Sequence, residues 1–197
     1  MASELFVDNI TGKTGTSGSA PITLSGNAAT LSGTGVTFPA NMMIGIAQNQ
    51  FNTECSAGGS SYSNGSWVSF SPAVNCTISN CTTGSKILIS CYLHLSINES
   101  NRSGKIRLID KTNSDAVIGT EGSGGLFGFY DYYSTQGGHL VSYEILYTPP
   151  SFSSGSFQVE VLGAIDDGGE TMYVNAHQGN NTSREFSSNI ILKEISG

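Results

Sequence analysis

The sequence predicts an all-β chain: an antiparallel β-sandwich or jelly roll preceded by an extended N-terminal arm. Three observations carry that prediction. Of 197 residues, 25 are Gly and only 12% are charged, and Ser, Thr and Asn supply roughly 60 more small polar positions, well above ordinary globular usage. These residues compete with helical hydrogen bonding or carry a backbone-entropy cost in a helix, whereas Thr, Val, Ile, Tyr and Phe suit a pleated surface. Apolar residues recur in short runs with a period of two. Clusters of Gly, Asn, Asp and Ser separate those runs at the spacing of strand connections. With 38% hydrophobic and 9% aromatic residues, the chain holds enough apolar material for one globular core.

Residues 1–40 read as the arm. Leu5-Phe6-Val7 with Ile10 forms a short apolar island, followed by a stretch of Gly, Ser and Thr. Two related pieces come next, Ile22-Thr-Leu-Ser-Gly26 and Ala29-Thr-Leu-Ser-Gly33, each a few extended residues stopped by Gly. Their apolar edges are too narrow to form a core alone. The segment is therefore either a flexible tail or an arm that adds strands to a neighbouring subunit or a larger assembly. On the second reading Leu5, Phe6, Val7 and Ile10 are the anchoring residues.

Residues 41–197 read as one domain. Met42–Ala47 is an apolar run long enough for a strand, and Trp67–Phe70 follows a Gly/Ser/Asn loop. The clearest strand opens after Gly84-Ser85. Ile87, Ile89, Cys91, Leu93, Leu95 and Ile97 fall on one face, with Lys86, Ser90, Tyr92, His94 and Ser96 on the other. Lys105–Asp110 and Ala116–Gly119 flank a run of turn formers and predict a hairpin. Leu126–Tyr133 and His139–Tyr147 are separated by Ser134-Thr-Gln-Gly-Gly138. Phe157, Val159 and Val161 alternate before Asp166-Asp-Gly-Gly169, and Met172, Val174 and Ala176 alternate after it. Ile190–Ile195 closes the series. No convincing helix interrupts it.

The net charge of −7 and only eight basic residues exclude a nucleic-acid binder, which must neutralise phosphates with clustered Lys and Arg. No apolar run of about 18 residues appears, so no membrane insertion is expected. The start of the chain lacks the basic and apolar stretches of a signal peptide, so secretory export is not expected. Cys55, Cys76, Cys81 and Cys91 are accordingly expected as thiols, with a Cys76–Cys81 bridge as the alternative. Their spacing, with no histidine nearby, does not describe a zinc site.

The residues that carry chemistry elsewhere are scattered. His94, His139 and His177 have no metal-binding spacing. Asp110, Asn113 and Asp115 approximate a calcium loop but lack its Gly and closing Glu, so a hairpin turn is the better reading. Asp166 and Asp167 are adjacent, which would point them to opposite faces of a strand, and they sit in a turn. Neither a nucleophile elbow nor a phosphate-binding loop is present. No enzyme, cofactor or metal is expected. The run Leu126-Phe-Gly-Phe-Tyr-Asp-Tyr-Tyr133 has two readings. It is either a strand with Phe127 and Phe129 in the core and Tyr130 and Tyr132 at a subunit contact, or a platform on which Tyr130, Tyr132 and Tyr133 meet sugar rings or a partner.

The string Gly12-Lys-Thr-Gly-Thr-Ser-Gly-Ser-Ala-Pro-Ile-Thr-Leu-Ser-Gly26, followed by Gly35-Val-Thr-Phe-Pro39, resembles the N-terminal part of fibre-like virion proteins of tailed phages that infect marine bacteria and cyanobacteria. Ser85–Ile89, Lys105–Leu108 and Met172–Asn175 are similar to later strands of that family. The resemblance implies a trimeric jelly-roll domain similar to the heads of the complement C1q and tumour necrosis factor families. It also implies service as a tail fibre, head fibre or capsid-decorating knob, with no catalytic residues. Long fibres carry a large shaft, whereas here about 40 residues precede the domain. The expectation is a short fibre or knob, assembled in the host cytoplasm into the virion and held by its arm to a capsid or tail protein. The alternative is a carbohydrate-binding adhesin module that recognises host cell-surface glycan.

Overall fold

The computed structural model describes residues 22–25, 28–31, 40–59, 66–99, 101–119, 127–131, 139–153, 155–166, 169–176 and 187–197. Its contacts divide the chain into two units, Met1–Pro39 and Ala40–Gly197. In the first, β1 (Ile22–Ser25) and β2 (Ala28–Leu31) pair as an antiparallel hairpin, with Ile22 opposite Leu31 and Leu24 opposite Ala29. The two Gly-terminated pieces of the sequence are thus partners. A hairpin with four-residue strands is marginal without further packing.

The second unit holds β3 (Met43–Phe51), β4 (Cys55–Gly58), β5 (Val68–Ser69), β6 (Asn75–Ile78), β7 (Lys86–Ile97), β8 (Arg102–Asp110), β9 (Ala116–Val117), β10 (Phe127–Asp131), β11 (His139–Tyr147), β12 (Phe157–Ile165), β13 (Thr171–Val174) and β14 (Ser188–Ile195). Among the described residues there is no helix. One antiparallel sheet runs β3-β14-β7-β13-β4, with β11 along the other side of β7. The second runs β10-β8-β12-β5, with β6 also on β12 and β9 on β8. Five pairings are nested: β3 with β14, β4 with β13, β6 with β12, β7 with β11 and β8 with β10. From β4–β13 inward, successive nested pairs alternate between the sheets.

The two sheets share a single apolar core, the arrangement of a β-sandwich. The alternation read in β7 is the inner face of the first sheet: Ile87, Ile89, Cys91, Leu93, Leu95 and Ile97 are all fully buried. Ile190, Leu192, Met172 and Val174 join them, and Ile106, Leu108, Phe157, Val159, Val161 and Ile165 come from the second sheet. Burial of each such side chain contributes about 1.5–3 kcal/mol, so this interior dominates the stability of the domain.

Two residues on the polar face of β7 are nevertheless buried. Ser90 donates to Glu144 Oε1 at 2.6 Å and Ser96 donates to the Ala176 carbonyl at 2.7 Å. A strand flanked on both sides loses solvent even on its outward face, and each hydroxyl there has a partner. The hairpin expected around residues 110–115 is present, with Ile109 opposite Val117 and Asp110 opposite Ala116. Two other connections are not hairpins. β10 pairs with β8 while β11 pairs with β7, and β12 and β13 also lie in different sheets. Both of these turn signals mark crossings between the layers of the sandwich.

All four thiols are free; Cys55, Cys76 and Cys91 are buried and Cys81 is half-buried. Burial, reinforced by the neighbouring Cys76, pushes the Cys91 thiol from 9.0 up to about 12. Between those values the native state keeps a proton that the unfolded chain loses, so stability is full below pH 9.0 and falls as pH rises toward 12. The expected result is that a thiol reagent at pH 8 labels Cys91 only after denaturation, and that the urea midpoint drops through the alkaline range. Rapid native labelling of Cys91 would show that the sandwich opens around β7.

Candidate functional site

The outward face of the first sheet gathers most of the exposed large hydrophobics among the described residues. Strand registry lines up one row across four strands, with Leu146 opposite Leu88, Leu88 opposite Lys193 and Lys193 opposite Ile46. The neighbouring row runs Glu144, Ser90, Ile191 and Gln48. Ile195 and Met43 pair beyond a bulge at the end of β14, and Leu140 stands opposite His94 at the far end of β7. Among the described residues seven large hydrophobics are exposed. Ile46 (63%), Leu140 (62%), Met43 and Leu146 (52% each) and Tyr92 (41%) lie on this one face, and Met42 immediately precedes it. Only Val117 belongs to the other sheet.

The polar groups on the face are largely engaged with one another. Ser90 holds Glu144, Gln48 Nε2 donates to Asn189 Oδ1 at 2.9 Å, and Gln50 Nε2 donates to Ser187 Oγ at 2.7 Å. The row Leu146–Leu88–Lys193–Ile46, apolar but for Lys193, lies beside a polar row whose amides and hydroxyls largely satisfy one another, so covering it leaves few of those groups unpaired. A signal for it stands in the sequence of β11. Leu140 and Leu146 occupy the phase that a half-buried strand gives to polar residues, alongside Ser142 and Glu144. Sequence reasoning used the strand's existence and passed over that doubling.

The residues singled out from sequence are distributed as follows. Leu5, Phe6, Val7, Ile10, Tyr132, Tyr133, Asp167 and His177 lie outside the described residues. Tyr130 stands in β10 opposite Ser103, with Phe127 opposite Ile106 and Phe129 opposite Gly104. His94 and His139 come to the same end of the β7–β11 pair, opposite Leu140 and Leu95. Among the described residues no group of three His, Cys, Asp or Glu side chains is placed to hold a metal ion.

Asp110 is fully buried, and its oxygens close the turn. The carboxylate accepts from the Thr112 and Asn113 amides at 2.9 and 3.1 Å, from Asn113 Nδ2 at 2.7 Å and from the Tyr147 hydroxyl at 3.0 Å. Burial, with the Asp110 charge, pushes the Tyr147 phenol from 10.0 up to about 12. Asp166 Oδ2 accepts from both the amide and the hydroxyl of Ser103 at 3.0 Å. Both carboxylates tie strand ends together. No family model matches the chain, and no curated protein matches it.

Proposed function

We propose that this protein is a non-enzymatic structural component of a tailed-phage virion surface, a short trimeric fibre or capsid-decorating knob. In this reading residues 41–197 form a jelly-roll head and residues 1–40 an attachment arm that anchors through Leu5, Phe6, Val7 and Ile10. The nested pairing of β4 with β13, β6 with β12, β7 with β11 and β8 with β10, alternating between two sheets inside the β3–β14 pair, supports the jelly-roll assignment. The similarity of the 12–26 string to phage fibre-like proteins supports the setting.

The observation that carries the reading is the gathering of Met43, Ile46, Tyr92, Leu140 and Leu146, all exposed, on the outward face of one sheet, among polar neighbours that include Lys193, Glu144 and Gln48. Contiguous apolar surface left in water forgoes about 25 cal/mol per Å², and soluble monomers rarely leave large patches of it uncovered. Closed cyclic symmetry lets copies of one chain cover such faces mutually. The test has two arms. Light scattering on the purified full chain is expected to give a trimer, and Ile46→Glu with Leu140→Glu is expected to give a folded monomer. In phage particles, deletion of residues 2–20 is expected to prevent incorporation while leaving the trimer intact. A wild-type monomer at micromolar concentration, or normal incorporation of the deletion, would overturn the corresponding half of the reading.

The aromatic run at 126–133 favours a second reading, a carbohydrate-binding module with Tyr130, Tyr132 and Tyr133 as contacts.

A further inference from the structure

Strand β11 forms one margin of the first sheet. It pairs with β7 along its whole length, and no strand flanks its other side among the described residues. Which of its backbone groups face outward follows from β7. The Asn175 amide donates to the His94 carbonyl at 3.0 Å, and the Asn98 amide donates to the Thr171 carbonyl at 3.1 Å. Even-numbered residues of β7 thus spend their N–H and C=O groups on the β13 and β14 side, and odd-numbered ones spend theirs on β11. By register, Val141, Tyr143 and Ile145 turn their backbone groups to β7. Leu140, Ser142, Glu144 and Leu146 turn theirs away from the sheet, at intervals of about 7 Å. Nothing in the strand blunts this edge. β11 is 9 residues long with no Pro, Gly, Lys or Arg, and its one carboxylate, Glu144, is held by Ser90 at 2.6 Å. The opposite margin, β3, is interrupted by Gly45 and tied to β6 by Asn49 Nδ2, which donates to the Asn75 carbonyl at 2.7 Å. The marginal strands of the second sheet, β5, β6, β9 and β10, span no more than 5 residues each.

We propose that β11 is a self-pairing edge: two copies of the chain join antiparallel through Leu140–Leu146 and continue the first sheet across a two-fold axis. The strand is complementary to itself in one register. With Tyr143 opposite the partner's Tyr143, Leu140 meets the partner's Leu146 and Ser142 meets the partner's Glu144. The outward groups then form about eight backbone hydrogen bonds. A slip of one step in either direction sets Glu144 against the partner's Glu144, or Leu140 against the partner's Glu144, so the side chains fix the register. The axis stands perpendicular to the sheet, which keeps Leu140 and Leu146 on the outer face of both copies. Half-buried Tyr143 and Ile145, which pack against the core, meet their counterparts on the inner face and lose their remaining exposure. The inference goes beyond the trimer reading. It uses the backbone of one edge instead of the sheet face, and its symmetry is two-fold, so trimers would be joined in pairs. A contact through one strand edge is small, which makes this the weaker, concentration-dependent association.

The test is sedimentation velocity on the full chain from micromolar to millimolar concentration, with amide hydrogen exchange at both ends of the range. The mass of the species present at micromolar concentration, monomer or trimer, is expected to double as concentration rises. Its value at the low end tests the trimer, and the doubling tests the edge. The amides of Leu140, Ser142, Glu144 and Leu146 are expected to exchange fast in the smaller species and about tenfold slower or more in the doubled one, with Val141, Tyr143 and Ile145 protected in both. Ser142→Pro removes a central outward donor while sparing the ladder to β7, and is expected to abolish doubling. Ser142→Glu sets like charges opposite each other at two symmetric positions and is expected to weaken doubling severalfold. Adding Glu144→Lys to it makes those pairs opposite in charge and is expected to restore doubling. A mass independent of concentration, unchanged doubling in folded Ser142→Pro or Ser142→Glu, or a charge-swapped variant that fails to recover would overturn the proposal. So would slow exchange of the four amides in the smaller species, which would show that another segment already occupies the edge.

Discussion

Asn175→Ala is expected to destabilise the domain by about 3–5 kcal/mol, read as a fall in the urea midpoint with little change in slope. Asn175 follows β13 and is 1% exposed, with φ at 60°, a left-handed conformation that Asn tolerates better than most residues. Its Nδ2 donates to the Phe51 carbonyl at 2.7 Å and to the Thr53 carbonyl at 3.3 Å, and its Oδ1 accepts from the Ser188 hydroxyl at 2.6 Å. Ser188 Oγ in turn accepts from the His94 amide at 2.9 Å. One side chain thus closes the ends of β3, β7, β13 and β14 against each other. Alanine leaves buried carbonyls and a hydroxyl without partners, at about 1–3 kcal/mol each before relaxation, and adds backbone strain. Asn175→Asp keeps the acceptor but sets a buried carboxylate oxygen against two carbonyls, so it is expected to cost at least as much as alanine. A loss below about 1 kcal/mol for the alanine variant would show that water replaces the side chain.

Asp110→Ala is expected to cost about 3–4 kcal/mol, because four donors converge on this buried carboxylate and charge-assisted hydrogen bonds are the stronger kind. The β8–β9 turn also loses what shapes it, since the Thr112 and Asn113 amides close on Asp110 itself. Asp110→Asn keeps one acceptor oxygen and is expected to lose less. Tyr147→Phe removes one donor and is expected to cost about 1 kcal/mol. A double-mutant cycle between positions 110 and 147, followed by chemical unfolding, is expected to show coupling; strict additivity would separate the turn from β11.

The strands themselves were legible because period-two alternation is a local property. β7 reads correctly from Ile87 to Ile97, and the turn-forming run at 110–115 reads correctly as a hairpin. What the alternation does not carry is the partner. β10 and β11 are separated by a sequence typical of a hairpin loop, yet they enter opposite sheets. The candidate surfaces follow the same division. Leu140 and Leu146 stand out of phase in a single strand, which a reader of the sequence can see. That Leu146 meets Leu88, and that both lie in one sheet with Ile46, depends on pairings across up to about 150 residues of chain, as does the seating of Arg107 over Trp67.

By itself the sequence determined the all-β class, the positions of most strands, the inner face of the central strand and the low, acid-biased charge. Each follows from side-chain size, branching and polarity within a few neighbouring residues. Only the tertiary structure decided which strands pair and that the exposed large hydrophobics gather on the outer face of one sheet. It also decided that Asp110 and Asn175 are buried organisers of strand ends. The physical reason is that pairing uses the same backbone N–H and C=O groups at every residue, so side chains select it only collectively, when a whole face must be removed from water.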